Sequence, residues 1–169
     1  MADTVKRDGV RTVSVHDLFP VIGQLLEEGK TARIPVSGNS MWPFLCHGRD
    51  SVVLSACDPA RLRRGDIVLL QTAQGNYLLH RVVRVSERGY VTAGDGNLFE
   101  DGMFSAGQLC GVVVMLERKG RQIACTQRCY RLLSAIWMAA FPVRRPLLRL
   151  LLCIGRVKRA LRRNKTDAP

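Results

Sequence analysis

The chain has 169 residues, of which 47% are hydrophobic, so it has the material for one domain with appendages and a real core. Fifteen glycines indicate many turns and predict a loop-rich, mainly β body. The net charge of +12 is unevenly placed: residues 1–117 carry twelve basic and thirteen acidic side chains, whereas residues 118–165 carry fourteen basic and no acidic ones. A basic segment of this kind favours an anionic partner, either nucleic acid or the anionic face of a membrane.

The six cysteines contain no C-x-x-C pair, which argues against a zinc ribbon. Cys125 and Cys129 have no histidine nearby that could complete a metal site. The polar N-terminus, MADTVKRDG, does not resemble a secretory signal. We therefore expect free thiols in a reducing, cytoplasmic compartment, with no metal ion and no cofactor.

The N-terminal segment, residues 1–32, contains one predicted helix. Residues 1–13 have no clear pattern, whereas apolar residues recur at three- and four-residue spacing over 14–28. Ser14 is a candidate cap for the start of this helix and Gly29 for its end.

Residues 33–117 form the predicted β domain, because short apolar runs alternate there with turn residues. No run in this region is long and periodic enough for a helix. The candidate strands are 33–36, 51–55, 67–71, 76–86, 90–93 and 110–117.

Residues 118–169 form the predicted basic, amphipathic helical tail. An apolar stripe begins near residue 128 and stops at Pro142, and a second stretch, 146–163, sets leucines among arginines. Neither stretch has the roughly 20 apolar residues that span a bilayer. The composition favours a helix at an anionic membrane interface; a hairpin folded back on the β domain and a nucleic-acid contact are the alternatives.

Three clusters in the β domain carry side chains that could do chemistry. They are Gly38–Pro43 (GNSMWP), Leu79–Val83 (LHRVV), and Gly94–Asn97 (GDGN) with Asp101 shortly after it. A serine hydroxyl needs a base within hydrogen-bond reach and donors for the developing oxyanion. Ser40 lies in a turn-like segment that could supply both exposure and backbone N–H groups.

His80 lies within an apolar predicted strand, where a histidine needs a partner. A carboxylate on its second nitrogen would fix the tautomer, and Asp95 and Asp101 are both candidates. Taken singly, each feature is more often structural: a serine beside glycine is usually a turn, and an aspartate in a Gly-Asp-Gly-Asn stretch is usually a turn-former.

The order of the three clusters resembles the signal peptidase I and LexA-like serine peptidase superfamily. The shared features are the G-x-S-M-x-P box at Gly38–Pro43, the Gly-Asp pair at 65–66, the His-Arg strand and the Gly-Asp loop. The resemblance covers roughly residues 34–117. Many relatives have a lysine as the base. His80, followed by Arg81, instead resembles the endoplasmic-reticulum type of signal peptidase, whose base is a histidine followed by arginine.

The resemblance implies a coiled β catalytic domain and an acyl-enzyme mechanism acting on a peptide or precursor protein. Ser40 would be the nucleophile, His80 the base and Asp101, in preference to Asp95, the carboxylate that orients it.

The oxyanion and substrate-binding residues would come from the serine box: Gly38, Asn39 and Met41. Met41 would form an apolar lip with Trp42–Phe44. Some relatives have a serine hydroxyl where this chain has Gly38, so that donor is missing.

The chain departs from both branches of the superfamily, because no N-terminal membrane anchor is evident and 32 residues are too few for a helix-turn-helix domain before the β body. We expect a peptidase peripheral to the inner membrane face. The alternatives are an inert peptide- or membrane-binding module of the same fold, or a nucleic-acid-binding regulator. The tail argues against the last, since it lacks interleaved aromatic residues.

Overall fold

The computed structural model of the chain describes residues 15–144, 146–150 and 153. The expectations for residues 1–13 and for the Ser14 cap lie outside these residues. So does most of the helix predicted over 146–163, of which 146–150 and 153 are described and helical.

The described chain is mainly β, as predicted, with eight antiparallel strands in one sheet. The helices are α1 (Val15–Glu27) and α2 (Arg128–Ala139), and short 3-10 turns occur at Pro59–Arg61, Ala106–Gln108 and Phe141–Val143. The strands are β1 (Ala32–Pro35), β2 (Asp50–Ser55), β3 (Ile67–Gln71), β4 (Tyr77–Ser86), β5 (Gly89–Ala93), β6 (Gly102–Phe104), β7 (Leu109–Arg118) and β8 (Arg121–Ala124). Their order across the sheet is β1-β2-β7-β3-β4-β5-β6, and β8 pairs with β7.

All six predicted strands are present, but β6 and β8 are absent from the prediction. β6 has only three residues and β8 has four, which is too short for alternation to stand out. β8 also corrects the predicted boundary at residue 118, because it extends the sheet beyond that point. The boundary was predicted from the change in charge composition at residue 118. The pairing of β8 with β7 depends on backbone hydrogen bonds, which do not follow side-chain charge.

Helix α1 is close to its prediction and ends where glycine was expected to end it. Gly29 has a φ of 74°, a left-handed conformation that glycine adopts without a steric penalty. The N–H groups of Gly29 and Lys30 bond back to carbonyls of the last turn. Ile22 and Leu26 are buried in the main core cluster, so α1 packs on the sheet through one face.

Both faces of the centre of the sheet are covered. The four consecutive residues His80–Val83 of β4 are all buried. Successive side chains of a strand point to opposite faces, so the main cluster around Leu54 and Leu69 and the second cluster around Val68 and Val82 cover different faces. The neighbours His80 and Arg81 are therefore buried on opposite sides of one sheet.

Helix α2 covers part of the sheet with a narrow inner face. Its buried residues are Tyr130, Ser134, Trp137 and Met138, at the three- and four-residue spacing of one helical face. None of the helices within the described ranges is both long and apolar enough to cross a membrane.

Candidate active site

The serine box forms a tight turn shortly after β1. Gly38 has a φ of 78°, which suits glycine and lets the chain reverse. The Trp42 N–H donates to the Asn39 carbonyl at 3.1 Å. Ser40 is half-buried and Asn39 is exposed, so the turn presents its polar residues towards solvent.

This turn is packed against the Gly-Asp loop by backbone contacts. The Gly96 N–H donates to the Ser40 carbonyl at 2.7 Å. A Cβ atom added to Gly94 would lie 2.5 Å from that same carbonyl oxygen, and one added to Gly96 would lie 2.9 Å from the Trp42 carbonyl oxygen. The two glycines are thus required for the close approach of the two segments.

The same loop links Ser40 to His80. Arg81 of β4 pairs with Ala93, the last residue of β5; His80 precedes Arg81 in β4 and Gly94 directly follows β5, so the two lie at the same level. Antiparallel register therefore places the Ser40 turn beside the strand pair that carries the histidine. In the described structure Ser40 Oγ and the His80 ring are not hydrogen-bonded to each other, an arrangement common in unliganded sites, where catalytic hydrogen bonds tighten on substrate binding.

His80 is held by Asp101, which is itself held by Thr92. Asp101 Oδ2 lies 2.6 Å from His80 Nδ1 and accepts a hydrogen bond from Thr92 Oγ1 at 2.9 Å. The Asp101 N–H also donates to the Thr92 carbonyl at 2.8 Å, which fixes the start of the Asp101 loop on β5. The ring is only 4% exposed, so this carboxylate sets its orientation and leaves Nε2 as the nitrogen that can act as a base.

Asp95 has a different partner, which corrects its candidacy as the residue that orients His80. Its two oxygens accept from Arg81 Nε at 2.8 Å and Nη2 at 2.7 Å, and both side chains have no exposed surface. Burial by itself lowers the pKa of Arg81, but the charge and hydrogen bonds of Asp95 raise it overall, so the guanidinium stays a cation. Asp95 therefore anchors the loop that carries Gly94 and Gly96.

The other end of the Arg81 guanidinium reaches α2. Nη1 donates to the Gly65 carbonyl and to Ser134 Oγ, both at 2.7 Å, and to the Tyr130 hydroxyl at 3.3 Å. Burial raises the pKa of Tyr130 to about 12, so at neutral pH its hydroxyl is protonated. Arg81 thus ties the candidate active-site loop to α2.

The predicted apolar lip is wrong for Met41. This side chain is 2% exposed and belongs to the main core cluster, so it packs beneath the turn and is not available to a substrate. Phe44, half-buried, lies beneath the Arg81 guanidinium at 4.9 Å and packs against Trp137 of α2. Of the predicted substrate-binding residues, Gly38 and Asn39 remain at the surface.

Four side chains that support the candidate site were absent from the sequence prediction: Thr92, Arg81 in its anchoring role, Tyr130 and Ser134. The role of Arg81 could have been predicted from the sequence, because a charged side chain within an apolar strand requires a buried partner. Tyr130 and Ser134 lie 49 and 53 residues from Arg81, and no local pattern connects them.

The arrangement offers groups that nucleophilic catalysis uses: a half-buried serine in a turn packed on the Gly-Asp loop, a histidine on the adjoining strand pair and a carboxylate on one of its ring nitrogens. The six cysteines are free thiols. No protein-family model matches the chain, and no curated protein is significantly similar to it. The chemistry of the chain's own residues therefore carries the functional assignment.

Proposed function

We propose that the protein is a serine endopeptidase with a signal-peptidase-like fold and a Ser40–His80–Asp101 active site. The observation that carries this proposal is the 2.6 Å contact between His80 Nδ1 and Asp101. A buried histidine held by a carboxylate at one nitrogen has the tautomer that a serine-activating base requires. The arrangement of the three clusters around one strand pair supports the resemblance found in the sequence.

The proposed reaction has two steps. Ser40 Oγ attacks the scissile carbonyl while His80 Nε2 accepts its proton and then passes it to the leaving amine. The acyl group left on Ser40 is released by a water molecule that His80 activates in the same way.

Asp101 and Thr92 supply electrostatic support. Asp101 stabilises the imidazolium that forms when His80 takes the proton. The Thr92 hydroxyl occupies one lone pair of the same carboxylate oxygen, which holds the carboxylate in place as charge develops. Such preorganisation costs nothing at the moment of reaction.

The oxyanion would be stabilised by the backbone of the serine turn. The Ser40 carbonyl is used by Gly96, whereas the Ser40 N–H has no partner among the residues described. An N–H of this kind is the donor that a tetrahedral intermediate needs. Asn39, exposed beside it, would contact the substrate.

The proposed substrate is a peptide or precursor protein, cleaved in the cytoplasm by an enzyme peripheral to the inner membrane face. An inert binding module of the same fold is the competing hypothesis. It does not require His80, Asp101 and Thr92 to form a connected set, whereas catalysis does.

The experiment is cleavage of a peptide library, followed by mass spectrometry. Wild type, Ser40→Ala and His80→Ala are compared, with Ser86→Ala as a control because Ser86 is exposed at the far end of β4. We expect cleavage by wild type and Ser86→Ala, and at least a 100-fold loss in the other two. Equal rates in all four proteins would rule out the serine–histidine mechanism, and binding of peptides without cleavage would favour the inert module.

A further inference from the structure

The outer face of α2 is apolar although it faces solvent. Leu132, Leu133 and Ile136 are 62%, 58% and 57% exposed. At 3.6 residues per turn these three side chains lie within about a third of the helix circumference. Exposed apolar side chains grouped in this way mark an interaction surface.

Helix α2 cannot rotate to bury this apolar face. The opposite face of α2 is anchored in the protein: Ser134 and Tyr130 accept hydrogen bonds from the buried Arg81, and Trp137 is buried against Phe44. The exposed leucines are therefore presented in a fixed direction.

Arginines surround this apolar face. Arg128 and Arg131 are exposed along one side of it. A cavity of about 470 Å³ adjoins α2 and is lined by Arg63, Arg64 and Arg131 together with Leu132. Its one carboxylate, Asp66, already accepts a hydrogen bond from the Arg63 N–H, so the cavity offers cationic groups next to apolar ones.

The charge of the surrounding chain selects the occupant. Residues 118–165 contain fourteen basic and no acidic side chains, so a second copy or the chain's own basic C-terminal residues would bring like charges together. Nucleic acid would satisfy the arginines and leave the leucines in water. An anionic bilayer satisfies both, because phosphate headgroups meet the arginines and acyl chains meet the leucines.

We propose that the outer face of α2, with Arg128, Arg131 and the adjoining arginine-lined cavity, docks the protein on an anionic lipid bilayer. Binding through this face involves neither Ser40 nor His80, so it stands or falls independently of the proposed peptidase activity. The sequence analysis predicted membrane contact for the whole basic tail, residues 118–169, whereas this proposal places the contact on α2.

The test is flotation of the full chain with phosphatidylcholine vesicles, with or without phosphatidylglycerol. We expect binding only to the vesicles that contain phosphatidylglycerol, and weaker binding at high salt. The triple variant Leu132→Ser, Leu133→Ser, Ile136→Ser should weaken binding about tenfold for each residue changed. The control Val21→Ser with Leu98→Ser alters exposed apolar residues outside α2 and outside the arginine-lined cavity and should bind like wild type.

A second pair of variants tests the charges. Arg128→Gln with Arg131→Gln should weaken binding about fivefold for each arginine removed, whereas Lys30→Gln with Arg88→Gln, distant in sequence from α2, should not. Circular dichroism and thermal melts verify that every variant is folded.

Three results would overturn the proposal. One is full vesicle binding by the triple serine variant, which would place the contact in the rest of the basic tail. Another is a dimer in analytical ultracentrifugation that the triple variant dissociates, which would assign the face to a second copy. The third is binding of a DNA duplex that weakens with the leucine substitutions while anionic vesicles remain unbound.

Discussion

The buried ion pair between Arg81 and Asp95 gives the sharpest prediction for stability. Asp95→Asn keeps the size of the side chain and removes its charge. In the native protein both partners have no exposed surface, and two hydrogen bonds of 2.8 and 2.7 Å join them. The variant therefore leaves a buried guanidinium without a counter-ion and turns an amide NH2 towards one of its N–H groups.

The expected cost follows from this environment. Removing one partner of a buried ion pair typically costs about 3–5 kcal/mol, because the remaining charge stays buried and uncompensated. Total stabilities of single domains are about 5–15 kcal/mol, so the loss is a large fraction. Arg81 keeps its bonds to the Gly65 carbonyl and to Ser134, which places the expected value near the lower end, about 3 kcal/mol.

Urea denaturation followed by circular dichroism measures this loss, and the neighbouring pair Arg84–Glu100 supplies a control. That pair has a similar contact, 2.6 Å, but its side chains are 66% and 36% exposed. Glu100→Gln should cost less than about 1 kcal/mol. If Asp95→Asn cost no more than Glu100→Gln, Arg81 would not be a desolvated anchor.

Three further variants test the surroundings of the site. Gly94→Ala places a Cβ 2.5 Å from the Ser40 carbonyl oxygen, so a thermal melt should show a loss of about 1–3 kcal/mol, whereas Gly107→Ala, with nothing within 4 Å, should show almost none. Asp101→Asn should lower kcat at least about 100-fold while its urea midpoint shifts little, and an unchanged kcat would remove Asp101 from the mechanism. Burial tends to raise the pKa of Asp50, but hydrogen bonds from Arg49 and the Cys46 N–H lower it overall. Because the pKa of Asp50 is lower in the folded protein than in the unfolded chain, the ionised carboxylate stabilises the fold above the unfolded-state pKa of about 3.9. This stabilisation is lost as the pH falls through the folded-state pKa. Asp50→Asn should therefore cost about 1–3 kcal/mol at pH 7 and progressively less below pH 4, and a cost that is constant with pH would contradict this.

The sequence predicted those parts of the fold that depend on local patterns. Six strands and α1 follow from alternation and helical spacing, and Gly29 ends α1 as expected. The His80–Asp101 contact was anticipated through resemblance, since residues separated by 21 positions meet only when β4 and β5 pair.

The sequence did not predict features that depend on tertiary packing. Met41 belongs to a motif whose other residues are exposed or half-buried, and only the turn geometry directs it into the core. Asp95 pairs with Arg81 and Asp101 with His80 because the two carboxylates reach opposite faces of the sheet. The boundary at residue 118 followed net charge, whereas β8 pairs through its backbone.

Ser40 is the proposed nucleophile, and trapping its acyl-enzyme tests this role directly. A peptide that the library shows to be cleaved is mixed with the protein, the reaction is quenched in acid, and the tryptic fragment 34–49 is examined by mass spectrometry. We predict a mass increase equal to the acyl half of the substrate on this fragment, absent in Ser40→Ala even though Ser37 is still present. An acyl adduct on another fragment, or undiminished cleavage by Ser40→Ala, would contradict the account.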